Sequence, residues 1–270
     1  MEAKLQRRIQ RYGWDAAEKI YEQSWIKALK PSHKTLLELA NIQSGHRVFE
    51  AACGTGIVTR KIAKAVLPEG HVLATDISQK MIDNVTSLQL LAVEARRMDG
   101  EDLSDVETTF DQAVCALGLM YMPDPRAALA EMCRILKPSG RATATVWGQR
   151  KNCGWADIFP IVDRQVKSQV CPMFFAPGNP NALMHDFELA GFTDLKEIRQ
   201  AETLKFSDAS SLTEAMMLGG PVALAATRFS SEQMKVVEEE FLQSVADFQT
   251  SDGGYEIPGE FVSVTGIKAG

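Results

Sequence analysis

The chain reads as an open α/β fold built on a doubly wound, largely parallel sheet, and three observations lead there. Residues 47–66 run as a short apolar strand (Val48, Phe49), a small-residue loop from Ala51 to Gly56, and a helix whose Val58 and Ile62 face back to the sheet. From residue 71 to 147 apolar runs alternate with helical patterns, the rhythm of βαβ units. Two acids, Glu50 and Asp76, stand at the ends of the first two strands, the edge where open α/β sheets bind ligands.

The loop sets the chemistry. Gly54 and Gly56 lack a β-carbon, so the backbone can turn tightly and let a ligand touch it. The helix behind it offers free N–H groups and a positive dipole end. A nucleotide-like cofactor is the natural occupant. A dinucleotide fingerprint needs a third small residue, and Thr59 stands in that place, which opposes a nicotinamide-dependent oxidoreductase.

Composition narrows the classes. The 270 residues hold 29 Lys and Arg against 35 Asp and Glu, a net charge of −6, which disfavours a dedicated nucleic-acid binder. Hydrophobic content of 45% with 24% charged residues describes an ordinary globular chain. Lys4, Arg7, Arg8 and Arg11 make the start basic, but no apolar run follows, so no secretory signal is expected. No apolar stretch is long enough to span a bilayer. The five cysteines (Cys53, Cys115, Cys133, Cys153, Cys171) are scattered without a C-x-x-C pair, which fits a reducing cytoplasm better than a disulfide framework or a zinc site.

In order along the chain, Asp15 and Glu18 resemble a helix start, with Ala17, Tyr21, Trp25 and Leu29 following on one face. That stripe either packs on the core or forms a lid. Pro31 restarts a helix carrying Leu36, Leu37 and Ala40. The helix after the glycine loop is expected from Thr55 to Val66, stopped by Pro68 and Gly70. Residues 71–75 form a second strand ending at Asp76, which is placed to accept two hydrogen bonds from vicinal ribose hydroxyls, while Ser78 suits the next helix cap. Met81, Ile82 and Val85 make that helix's apolar face. Strands follow at 93–97, 110–115 and 141–146, with a helix from Ala128 to Leu136.

Glu50-Ala-Ala52-Cys-Gly54-Thr-Gly56 resembles the first motif of the class I S-adenosylmethionine-dependent methyltransferases, usually D/E-x-G-x-G-x-G, with Ala52 where the first glycine usually stands. Asp124 to Gly140 reads D-x-x-x-A-L-x-E-x-x-R-I-L-K-P-x-G, and together these stretches look most like the ubiquinone/menaquinone-biosynthesis type. The resemblance implies a Rossmann-like, seven-stranded sheet with its last strand antiparallel, plus helical N-terminal and cap insertions. It implies S-adenosylmethionine as cofactor, with Glu50, Ala52, Gly54, Gly56, Asp76, Ile77, Met81, Asp99, Gly100 and Cys115 around it. Asp99-Gly100 matches the family's acidic turn toward the adenine amino group. The expected divisions are an N-terminal helical lid (1–45), the cofactor-binding core (46–147), a cap segment with the sixth-strand region (148–206), a helical cap insertion (207–255) and the last strand (256–270).

The acceptor is read partly by exclusion. Exocyclic base-amine methylation usually goes with N/D-P-P-Y/F after the fourth strand, and Cys115-Ala-Leu-Gly118 stands there. Arsenic methylation needs several thiols, of which only Cys153 and Cys171 in the cap are candidates. A small, largely apolar or aromatic acceptor remains, taking the methyl on oxygen or carbon. The alternative is a cofactor-binding regulatory or assembly protein without methyl transfer. His185, Tyr121, Tyr21 and His33 are candidate bases, and none is assigned as catalytic. Residues 148–181 (Trp155, Phe159, Met173, Phe174, Phe175) and 207–255 (Met216, Met217, Leu218) are apolar enough to cap the carboxyl edge. Further elements are expected as a helix at 181–190, strands at 195–198 and 203–206, helices at 212–218 and 231–248, and a closing strand at 261–266. The oligomeric state is left open.

Overall fold

A computed structural model describes residues 2–107, 109–166 and 173–270; Cys171 lies outside them. Among the described residues seven strands form one sheet: β1 (Arg47–Ala51), β2 (His71–Asp76), β3 (Val93–Arg97), β4 (Phe110–Ala116), β5 (Leu136–Trp147), β6 (Phe192–Phe206) and β7 (Tyr255–Lys268). Their spatial order is β3-β2-β1-β4-β5-β7-β6. The first five pair in parallel, and β7 runs antiparallel between β5 and β6. This is the Rossmann-like sheet with an antiparallel last strand that the motifs imply.

Among the described residues ten α-helices accompany the strands: α1 (Ala3–Trp25), α2 (Lys30–Ala40), α3 (Thr59–Val66), α4 (Gln79–Ser87), α5 (Pro125–Ile135), α6 (Ile158–Val166), α7 (Ala182–Leu189), α8 (Ala209–Met217), α9 (Ala223–Ala226) and α10 (Ser231–Ser244). Alternation along the strands divides the core between the two faces. Val48, Val72 and Val114 pack with Leu36 of α2, Ile62 and Val66 of α3, and Ile82 and Val85 of α4. Phe49, Leu73, Ala113 and Cys115 face the other way, into the larger core beneath α5 and the later insertions.

The element boundaries move where polar tertiary partners replace local signals. α1 is one helix of 23 residues, so Asp15 lies inside it rather than capping it. Its carboxylate Oδ1 instead accepts from the Ser78 hydroxyl at 2.6 Å and the Lys80 amide at 3.3 Å. α3 begins at Thr59, because Gly54 (φ +54°) and Gly56 (φ +87°) hold the preceding residues in turns. Ser78 caps α4 by accepting from the Met81 amide. The two short strands expected at 195–198 and 203–206 are one strand, β6, whose polar middle hides its continuity. It is a sheet edge, paired with β7 from Phe192 to Phe206, so its outer face needs no apolar residues. β7 likewise begins at Tyr255, earlier than its apolar run, through Pro258 and Gly259. The helix expected to reach Phe248 ends at Ser244, followed by a short 3-10 turn.

The segment after β5 is fastened at the carboxyl end of the sheet by Glu260. Its Oε2 accepts from the Gln149 amide at 2.7 Å, and its Oε1 from Asn152 Nδ2 at 2.9 Å. Trp155, Phe159, Phe174 and Phe175 then stack as one aromatic cluster, with ring centroids 4.7–6.0 Å apart. Among the described residues no helix is long and apolar enough to cross a membrane.

Candidate functional site

At the carboxyl ends of β1, β2 and β4 lie three adjoining cavities. The first encloses about 730 Å³ of empty space, partly open to solvent, between the glycine loop, the tip of β2, the Met98–Glu101 turn and α1. Ala52, Gly54, Asp76, Ile77, Met81, Asp99 and Gly100 all border it. Glu50 borders the third, smaller cavity beneath the loop, together with His33 and Thr55. Gly56 and Cys115 border none of the three. A Cβ on Gly56 would meet Leu88 and Val85 at 3.0–3.2 Å, so its absence serves the packing of α4. Cys115 is fully buried in β4.

Backbone geometry explains the loop. Ala52 sits at φ +54°, a left-handed conformation that costs a non-glycine residue energy. Its methyl group fills space that Gly118 leaves: a Cβ built on Gly118 would lie 2.5 Å from the Ala52 Cβ. The alanine in place of the usual glycine is thus accommodated by a glycine on the facing loop. Asp76 joins the loop to β2, its Oδ2 accepting from the Gly54 amide at 3.0 Å and its Oδ1 from the Ser78 amide at 2.9 Å. Burial pushes its pKa up to about 6, although those amides favour the charged form.

The third cavity is short of partners. Glu50 Oε2, His33 Nδ1 and Thr55 Oγ1 are buried there with no hydrogen-bond partner. Burial raises Glu50 to about 8, with the charge of Asp76 adding to the rise and the Thr59 hydroxyl opposing it. Burial lowers His33 to about 4, helped by Lys61. Buried polar atoms are costly unless paired, so the cluster is suited to a ligand carrying both donors and acceptors.

α1 roofs the first cavity. Arg7 Nε lies 2.7 Å from Asp99 Oδ2 and 2.8 Å from Glu101 Oε2. Glu18 accepts from Asn84 Nδ2 at 2.8 Å, and Glu22 pairs with Arg60 at 2.5 Å. Trp14 lies between Tyr21 and Tyr121 in edge-to-face contacts, with centroids 5.5 and 5.0 Å away. Arg7, Gln10 and Trp14 belong to no motif, yet they share the helical face of Ala17 and Tyr21 at three- and four-residue steps. That periodicity is the signal that could have found them.

The second cavity opens beside the first and is walled by Trp14, Tyr21, Trp25, Tyr121, Trp147 and Trp155, closed by Gly219, Gly220 and Pro221. All four tryptophans of the chain border it. One insertion contributes Trp155 and the other the Gly219–Pro221 turn. Of the four base candidates, Tyr21 and Tyr121 border this chamber and His33 the third cavity. His185 borders none of them; it is exposed on α7, 3.4 Å from Glu188.

Residues 48–140 match the family described as "Methyltransferase domain". The demethylmenaquinone methyltransferase of Listeria monocytogenes is 32% identical over 147 residues, which cover 53% of this chain and 62% of that protein. The ubiquinone/menaquinone biosynthesis C-methyltransferase UbiE of Saccharophagus degradans is 35% identical over 113 residues, covering 39% and 44%. Each match thus spans less than two thirds of the relative. The YcgJ protein of Bacillus subtilis shares the fold, with a TM-score of 0.63, 15% identity, and coverage of 89% of this chain and 99% of that one. Motif, sheet order and relatives agree: residues 48–140 match a methyltransferase domain, and the chain resembles the class I S-adenosylmethionine-dependent methyltransferases of the ubiquinone/menaquinone-biosynthesis type.

Proposed function

We propose that this protein transfers the methyl group of S-adenosylmethionine to a carbon of a small, largely apolar aromatic acceptor. The observation that carries the reading is the aromatic second cavity adjoining the cleft formed by the glycine loop and Asp76. The residues present fit the cofactor. Asp76 retains acceptor capacity for ribose hydroxyls, Asp99 stands at the acidic turn, and the unpartnered Glu50, Thr55 and His33 atoms suit an amino-acid end. When bound, the cofactor supplies an electrophilic methyl group on a sulfonium.

What remains for the protein is alignment and exclusion of water, and alignment alone contributes about 7–11 kcal/mol to such reactions. Among the described residues, the chamber lining holds no carboxylate, histidine or lysine. The Tyr21 phenol is held above its ordinary pKa by burial and by the neighbouring charge of Asp76, which makes it a donor rather than a base. An acceptor bound here must bring its own nucleophile. An electron-rich hydroxylated ring does so at carbon, taking the methyl as its S–C bond breaks and losing the displaced ring proton to solvent as the ring rearomatises, in keeping with the quinone-pathway names of the relatives.

The test is incubation with methyl-labelled S-adenosylmethionine and a demethylated naphthoquinol, following S-adenosylhomocysteine release and the labelled position. Ring-carbon label is the expected result. Tight S-adenosylhomocysteine binding without turnover of any quinol or phenol would favour a cofactor-binding protein that transfers no methyl group.

A further inference from the structure

We infer that the ring of Tyr21 packs against the sulfonium centre of bound S-adenosylmethionine and makes the site discriminate that cation from its uncharged product. The inference rests on reading the first and third cavities as the adenosyl and amino-acid subsites. A sulfonium has three substituents. Here the adenosyl arm belongs to the first cavity, the aminocarboxypropyl arm to the third, and the methyl group must face the acceptor chamber. The sulfur therefore lies where all three meet.

Among the described residues, Tyr21 alone borders all three cavities. Ala52, Gly54 and Ala116 border the first and third but offer no ring or polar side chain. Trp14, Leu117 and Tyr121 border the first and second but do not reach the third. Tyr21 is also close to the loop: a Cβ on Gly54 would lie 3.8 Å from its Cε1. The ring makes a T-shaped contact with Trp14, at a centroid distance of 5.5 Å and an interplanar angle of 88°. One turn either side, Ala17 and Trp25 are buried, and Glu22 beside it is tied to Arg60. An aromatic face so placed attracts a cation through its quadrupole, more strongly when water is excluded. The phenol stays neutral, so the attraction belongs to the ring and does not wait on a titration.

S-adenosylmethionine and S-adenosylhomocysteine differ by the methyl group and its charge, so the ratio of their dissociation constants isolates this contact without any acceptor. Calorimetry on the native protein, Tyr21→Leu and Tyr21→Phe measures it. Relative to the native ratio, preference for the sulfonium falls about three- to thirtyfold in Tyr21→Leu. S-adenosylhomocysteine affinity changes much less, and Tyr21→Phe keeps the native ratio. An unchanged ratio in a folded Tyr21→Leu variant overturns the assignment. So does a Tyr21→Phe variant that loses as much as Tyr21→Leu, because the hydroxyl and not the ring would then carry the contact. A native protein that binds neither compound refutes the cofactor reading itself, and the assignment falls with it.

Discussion

Glu50 is buried, with no ion pair among the described residues, and burial holds its carboxyl protonated up to about pH 8. The sign follows directly. An acid whose pKa is higher in the folded chain than in the unfolded one costs stability as pH climbs from the unfolded value toward the folded one. Glu50→Gln therefore raises the melting temperature of the free protein near about pH 8 and leaves it unchanged near about pH 4. An ammonium group brought against Glu50 reverses the shift and expels the proton. Affinity for S-adenosylhomocysteine then rises between about pH 6 and 8, and Glu50→Gln flattens that rise. Melts at the two pH values and calorimetry across the interval check both parts; a profile identical in the variant removes Glu50 from the site. Glu50 and Asp76 were legible in the sequence because topology alone puts strand ends at a ligand-binding edge. The Ala52–Gly118 fit was not, since the two residues meet only across strands that lie far apart in the chain.

α1 shows how an element can be legible as a helix yet opaque in its role. Periodicity exposes the buried stripe of Ala17, Trp25 and Leu29, but the polar residues that fasten the helix are paired with residues far along the chain. Arg7 illustrates this: its guanidinium ties the start of α1 to Asp99 and Glu101 across the mouth of the first cavity. Arg7 itself stays about one-third exposed to water, and the buried Glu101 keeps a hydrogen bond from the Asp124 amide, so the pair adds little to global stability. Arg7→Ala should accordingly leave the melting temperature within a few degrees. Its effect should appear in kinetics, as faster S-adenosylhomocysteine release with a smaller change in association, because the helix end that covers the ligand is no longer held. Stopped-flow displacement measures both rates, and equal rates in variant and native protein would show that α1 does not gate the cleft. The divided reading of β6 has the same origin: an edge strand is specified by its partner's backbone, and its own polar side chains carry no strand signal.

At the scale of the whole molecule, the parallel core from β1 to β5 was readable because its central strands are buried on both faces and its loops carry motif residues. The insertions announced themselves only as apolar excess. Their placement depends on Glu260 holding the segment after β5 and on the last turn of α8 reaching α1, where Trp25 Nε1 donates to the Ala215 carbonyl. Those contacts gather Trp14, Trp25, Trp147 and Trp155, widely separated in the chain, around one cavity. The arrangement makes the chamber directly observable. A quinone is an efficient quencher of indole emission at short range, so 1,4-naphthoquinone seated there would reach every tryptophan the protein has. Titration in the presence of S-adenosylhomocysteine is expected to quench most of the emission along a saturating curve. Trp155→Phe keeps an aromatic wall, so it should retain saturable quenching while the starting intensity falls. Gly220→Leu, at a position whose Cβ would have only ordinary contacts at 3.5 Å, adds bulk to the chamber's rim and should weaken the quinone's binding while S-adenosylhomocysteine still stabilises the fold. Quenching that grows linearly without saturation, or is indifferent to the leucine, would mean that the four rings enclose packing space only, and that the acceptor approaches the methyl group from another side.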